Sequence, residues 1–317
     1  MGTRRIATLG AVGVMAAAAL VNPVDRGVAT PAAASEATPA VRTATATPAP
    51  PATAGLARLR WRLARTTSWT LALSDAAAAS DLRGYSLVVV DGETTSAGRV
   101  RELRRNGSVV LAYLSIGTIE DGRWWSQAAR GHRLDRWQDW GEWYADVNNS
   151  EFRALITKRV LPQLMAAGFD GVFLDNVDMV ESHPRQRSGM ASLLAAVSRD
   201  VHRGGRLVLA QNGDSQLRWV LPWLDGWNRE DVSFTYDFDT GRYRRTSTAE
   251  RAQAVQAIRR VRAVRLTAFS TDYVTNPAAP AAARQVAEAV RYACSVGAKP
   301  YVGSIGLDRM PRTPLRC

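Results

Sequence analysis

Asp175, Asn176 and Asp178 stand directly after Gly171-Val172-Phe173-Leu174, an apolar run too short for a helix. Such a run reads as a strand covered on both faces, with Gly168 ending the helix before it. Carboxylates at the C-terminal end of a buried parallel strand are where (β/α) barrels keep their chemistry. The plainer reading is that Asp175 only caps the next helix. Acids at other strand ends weigh against it: Asp91, Glu120-Asp121, Asp146, Glu230-Asp231 and Asp272. A mouth ringed by carboxylates suits two chemistries. One holds a divalent cation on three or more oxygens. The other is glycoside hydrolysis, which pairs a protonated carboxyl with an ionised one.

The aromatics favour the second. Trp124, Trp125, Trp137, Trp140 and Trp143 put half of the ten tryptophans into twenty residues, and Trp219, Trp223 and Trp227 recur every four. Indoles stack on the faces of amphipathic ligands such as sugars. One or two should line a groove, while the rest plug the barrel end. His132, His183 and His202 are the only histidines, and none lies at ligand spacing with a cysteine or another histidine, which argues against zinc. No cofactor is expected.

The elements that must position these residues alternate strand with helix. Strands are expected at Trp69–Leu73, Leu87–Val90, Val109–Tyr113, Gly171–Leu174, Leu207–Ala210, Leu224–Asn228, Arg265–Phe269 and Pro300–Gly303. Helices are expected from Ala97 to Asn106, from a Ser150 cap onward with a kink at Pro162, and through Met190 to Val201. Ser247-Thr248-Ala249-Glu250 is a capping box opening a helix to about Arg262, and Asn276-Pro277 should open the last helix. Eight such repeats predict a parallel sheet closed into a (β/α)8 TIM barrel. A doubly wound sheet is the alternative, but no G-x-G-x-x-G follows the first strand. Gly303-Ser304-Ile305-Gly306 is either a phosphate cradle or a plain turn.

The chain has 317 residues, and its N-terminus lies outside the barrel. Arg4-Arg5 precede an apolar run from Ile6 to Val21, so residues 1–28 read as a signal peptide, with a faint twin-arginine character. The run is short for a membrane span, so no stable insertion is expected. Residues 29–58 are nearly all Ala, Thr and Pro and predict a disordered linker, which leaves residues 59–317 for the barrel. Net charge is +12, and all but Lys158 and Lys299 of the 41 basic residues are arginine. The arginines are scattered without a long basic run, which argues against nucleic acid as a partner. Cys294 and Cys317 are candidates for a disulfide in an exported chain, the alternative being two unpaired thiols. A secreted monomer is the expectation.

Taken in order, Tyr113-Leu114-Ser115-Ile116-Gly117 with Glu120-Asp121, Asp170 through Asp178, Gln211-Asn212-Gly213 and Glu230-Asp231 resemble glycoside hydrolase family 114, the endo-α-1,4-polygalactosaminidase-type barrels. The resemblance runs from about Trp69 to Leu307. It implies hydrolysis of α-1,4-linked galactosamine-type polysaccharide by two acids, carried over as Asp175 and Glu230. One protonates the leaving oxygen and the other attacks the anomeric carbon or activates water, with Asp175 the expected nucleophile and Glu230 the expected acid/base. The resemblance also implies that Asp91, Asp121, Asn176, Asp178, Asn212 and Tyr273 hold the sugar. Two departures adjoin the cleft. Thr118 stands where the family carries an extra acid, and Gly122 where it often has an aromatic. The rival readings are a barrel that binds polysaccharide without cutting it, and a metal-dependent hydrolase with Asp175, Asp178 and Glu230 as oxygen ligands.

Overall fold

The computed structural model describes residues 53–317. The expected signal segment and most of the linker lie outside them. Helix is already present before Leu59: the Thr53 hydroxyl accepts the Leu56 amide and caps a helix over Ala54–Ala64. That helix has a reason to form. Leu56, Leu59 and Leu63 recur at helical spacing and are all buried.

Eight parallel strands follow in spatial order: β1 (Trp69–Ala72), β2 (Leu87–Asp91), β3 (Val109–Ser115), β4 (Gly171–Asp175), β5 (Leu207–Gln211), β6 (Gly226–Glu230), β7 (Thr267–Tyr273) and β8 (Lys299–Gly303). Helices lie between them, and the fold is a (β/α)8 barrel. The ladder runs unbroken from β1 to β8. Side chains bridge the last gap: Trp69 Nε1 donates to the Lys299 carbonyl at 2.9 Å, and the Tyr301 hydroxyl donates to the Leu71 carbonyl at 3.0 Å.

The strands alternate with a period of two, which sorts their side chains into two cores. Leu71, Val89, Leu111, Phe173, Leu209, Phe269 and Tyr301 share one buried cluster, joined by the three leucines of the first helix. Val88, Val90, Val110, Ala112, Val172, Leu174, Val208 and Ala210 share another with the surrounding helices. Trp69 is fully buried in the first cluster, with ring centroids 5.0 Å from Phe269, 5.6 Å from Tyr301 and 6.3 Å from Phe173. This aromatic layer is the floor beneath the strand ends. The next inward positions along the same strands are Tyr113, Asp175 and Gln211.

Several boundaries differ from expectation for local reasons. Asn149, not Ser150, caps its helix, because its carboxamide oxygen accepts the Glu151 and Phe152 amides. At Pro162, where a kink was expected, the helix changes form along its length. A π turn over Ile156–Val160 widens the backbone just before the residue that lacks an N–H. Asn276 accepts the Ala278 amide in a turn, and the last helix starts only at Ala283, after a 3-10 turn at Pro280–Ala282. The sixth and seventh strands start later than expected, at Gly226 and Thr267. Cys294 and Cys317 are bonded, tying the C-terminus to the last helix.

Two antiparallel additions rise from the mouth. Thr118–Ile119, Glu142–Ala145 and Arg133–Trp137 form a three-stranded sheet after β3. Phe234–Asp237 and Arg242–Arg245 form a hairpin after β6. Removing the floor should be costly. Trp69→Ala is expected to lower stability by about 3–5 kcal/mol in denaturant unfolding, the range for deleting a large buried aromatic.

Candidate active site

The C-terminal ends of the strands enclose a cleft of about 380 Å³. Asp175 closes β4 and is fixed by three neutral donors. Its Oδ2 accepts the Tyr113 hydroxyl at 2.5 Å, and its Oδ1 accepts the Asn176 amide at 2.7 Å and Gln211 Nε2 at 2.8 Å. Gln211 is itself oriented. Asn228 Nδ2 donates to its Oε1 at 3.1 Å, and the Thr271 hydroxyl donates to Asn228 Oδ1 at 3.2 Å. Thr271, Asn228 and Gln211 thus form a buried relay across β7, β6 and β5 that turns an amide N–H₂ toward Asp175.

Glu230 closes β6 and is the register partner of Thr271 on β7. Its Oε2 accepts Asn212 Nδ2 at 2.5 Å, and its Oε1 accepts the Tyr273 hydroxyl. Asn212 is fixed in return, its Oδ1 accepting the Glu230 amide at 3.2 Å and its carbonyl accepting Trp227 Nε1 at 2.8 Å.

One backbone device recurs at these strand ends. The residue after Asp175, Gln211 and Glu230 is in each case left-handed: Asn176 at φ 57°, Asn212 at 56° and Asp231 at 57°. Asn and Asp tolerate this region better than other residues with a Cβ. The reversal ends the strand at once and leaves the preceding side chain aimed into the cleft. Gly117 makes room for the first of these turns, since a Cβ there would lie 1.9 Å from the Asn176 carbonyl oxygen.

Burial dominates the electrostatics. It pushes the Glu230 carboxyl up to about 8, and the neighbouring charges of Asp175 and then Asp231 push the same way. Burial also raises Asp175, but Tyr113, Gln211 and the Asn176 amide oppose it. Three donors favour the anion at Asp175 and two at Glu230, so Asp175 ionises first and Glu230 keeps its proton. Asp178 and Glu142 are each raised to about 7, chiefly by burial.

The structure places the expected residues unevenly. Asp175, Glu230, Asn176, Asp178, Asn212 and Tyr273 all line the cleft. Asp91 lines it too, but its oxygens are taken by the Glu93 and Thr94 amides and by Arg123 at 2.6 Å. Asp121 is not there. Its side chain is 55% exposed, pairs with Arg133 and accepts Trp143 Nε1 at 3.3 Å. The chain leaves the Thr118–Ile119 strand and turns here, so that Glu120 lines the cleft and Asp121 does not. Asp272 is buried behind the cleft, holding the Ser233 and Phe234 amides, and Asp146 accepts Gln186 Nε2. Ser304 donates to Asp308 in a plain turn. Among the tryptophans only Trp137 and Trp140 line the cleft; Trp125 and Trp227 are core. Sequence reasoning missed Glu142 and Arg123. Glu142 had a faint signal, a hairpin turn at Gly141 that returns the chain toward the mouth. Among the described residues no three His, Cys, Asp or Glu side chains are placed to share an ion.

The profile described as Glycoside-hydrolase family GH114 matches residues 50–314. The chain belongs to this family. It is therefore a glycosidase by family, with the paired carboxyls such a reaction needs. The glycoside hydrolase domain of PelA from Pseudomonas aeruginosa is similar, with 25% identity and a TM-score of 0.64 over 77% of this chain and 96% of that one. Ega3 of Aspergillus fumigatus, solved in complex with galactosamine, shares the fold at 17% identity and a TM-score of 0.62, over 80% of this chain and 95% of that one. An uncharacterized protein of Deinococcus radiodurans is 26% identical over 244 residues, 71% of this chain and 75% of that one.

The raised carboxyls make stability depend on pH. Glu230 and Asp178 hold their protons more tightly folded than unfolded. The stability they contribute is complete below the ordinary carboxylate range, near pH 4, and is lost as pH rises through about 7 to 8. The melting temperature should fall from pH 5 to pH 8.5. Glu230→Gln should recover at least ~1 kcal/mol of that loss at pH 8.5 in calorimetry.

Proposed function

We propose that the protein is an exported glycoside hydrolase that cuts α-1,4-linked galactosamine or N-acetylgalactosamine polysaccharide within the chain. The observation that carries this reading is the division of one proton between two carboxyls of unequal surroundings. Glu230, kept neutral, protonates the glycosidic oxygen as the bond breaks. Asp175, kept ionised by its three donors, attacks the anomeric carbon on the other side of the ring. A water activated by the now ionised Glu230 then releases the sugar from Asp175, and Glu230 regains its proton. The product keeps the anomeric configuration of the substrate, which NMR of the first product can read directly.

The lining supports an amino sugar. Six acidic side chains face the cleft, Asp91, Glu120, Glu142, Asp175, Asp178 and Glu230, against the single cation Arg123 among the described residues. A body of net charge +12 thus carries a mouth suited to a cationic ligand. The family and the galactosamine bound to Ega3 point the same way. Export is read from the Arg4-Arg5 pair and the apolar run behind it.

The test is release of reducing ends from galactosamine polymers of graded acetylation. Wild type should cut at least one. Asp175→Asn and Glu230→Gln should each fall at least ~100-fold with the fold intact. Activity should also decline above about pH 8, where Glu230 loses its proton. A polymer bound by wild type but not cut would instead favour the non-catalytic barrel.

A further inference from the structure

The hairpin that roofs the cleft, Arg133–Trp137 with Glu142–Ala145, belongs to none of the eight barrel repeats. It nonetheless sends Trp137, Trp140 and Glu142 into the cleft. Trp137 pairs with Glu142 in antiparallel register, and directly opposed residues project from the same face. An indole and a carboxyl therefore stand side by side in the cleft that Asp175 and Glu230 also line. We propose that this hairpin is a sugar subsite of its own, in which the Trp137 and Trp140 rings take the apolar face of one amino-sugar ring and Glu142 takes its ammonium group. The proposal rests on the glycosidase reading above and adds which residues select the amine.

Each part is held ready. Glu142 Oε2 accepts the Thr118 hydroxyl at 2.5 Å. Thr118 Oγ1 accepts Asn176 Nδ2 at 2.9 Å and shares a 2.7 Å hydrogen bond with the Ser115 hydroxyl. One carboxylate oxygen is thereby fixed, while Oε1 has no hydrogen-bond partner among the described residues. The cation nearest in kind is already committed, since Arg123 pairs with Asp91 and Glu120, each at 2.6 Å. Trp137 stacks on Tyr144 with centroids 5.6 Å apart and planes 13° apart, which sets its plane. Trp140 meets Trp137 and Phe238 edge-on and is still 44% exposed, which leaves indole surface free for a ligand to cover. An apolar platform beside an unpaired anion matches an amino sugar, which has an apolar ring face and a cationic substituent at its edge.

The competing role for Glu142 is a brace. Through Thr118 it supports Asn176, whose amide holds Asp175. Thr118→Val cuts that brace and leaves the carboxylate, while Glu142→Gln keeps the shape and removes the charge. Kinetics of both, and of Trp137→Ala, should be measured on α-1,4-linked galactosamine polymer and on its N-acetylated form. Glu142→Gln should raise KM about 10-fold or more on the free amine, the scale of a lost charge-assisted hydrogen bond. It should leave kcat and the acetylated polymer nearly unchanged. Trp137→Ala should raise KM on both polymers, and Thr118→Val should lower kcat on both alike. Equal losses on the two polymers for Glu142→Gln would overturn the subsite. If wild type cuts neither polymer, the glycosidase reading fails, and calorimetry with galactosamine oligomers judges the subsite separately. Binding lost in Glu142→Gln supports it, and no binding by wild type rejects it.

Discussion

Two carboxyls share one buried cleft, and every hydrogen bond that holds them comes from a neutral group. Among the described residues no guanidinium pairs with either, so the second ionisation is opposed by both burial and the first charge. The site therefore holds one proton between two acids near neutral pH, and the surroundings decide where it sits. Three donors on Asp175 against two on Glu230 place it on Glu230. Glycoside hydrolysis needs that asymmetry, and here it is made from amides and phenols.

The rest of the fold can be read as support for this arrangement. The aromatic floor around Trp69 fills the barrel and keeps the polar layer above it from sinking. Thr271, Asn228 and Gln211 carry hydrogen bonds through an otherwise apolar interior to one carboxylate oxygen. Left-handed residues end β4, β5 and β6 immediately after the side chains that matter, so Asp175, Gln211 and Glu230 are set by rigid strands and freed from the helices that follow. A buried polar relay has a cost if any member is lost. Its presence next to the acids argues that position, and not stability alone, is what it maintains.

The frame was legible because strand periodicity is a strong signal. Short apolar runs ending in Asp marked β2 and β4, whereas β6 was a weaker segment, Leu224–Asn228, with Glu230 just past its expected end. Asp121 was carried over from the family motif, and the turn that follows the two-residue strand Thr118–Ile119 brings Glu120 into the cleft instead. Helix starts near Ser150 and Asn276 failed for a related reason: several residues offered caps, and only the three-dimensional fit chose among them. Glu142 was illegible because its role depends on a hairpin folding back over the barrel, a long-range contact with no local pattern beyond Gly141. The left-handed Asn176, Asn212 and Asp231 could have been found, because Asn or Asp repeats directly after each cleft-facing residue.

The central claim is that Glu230 holds the shared proton because Asp175 has already given its own up. Carbon-13 NMR of carboxyl-labelled protein, titrated from pH 3 to 10, tests it directly in wild type and in Asp175→Asn. The account predicts that Glu230 titrates near 8 in wild type and at a clearly lower pH once the Asp175 charge is gone. A Glu230 that titrates near 4.5 in wild type, or one that ignores the loss of Asp175, would contradict it.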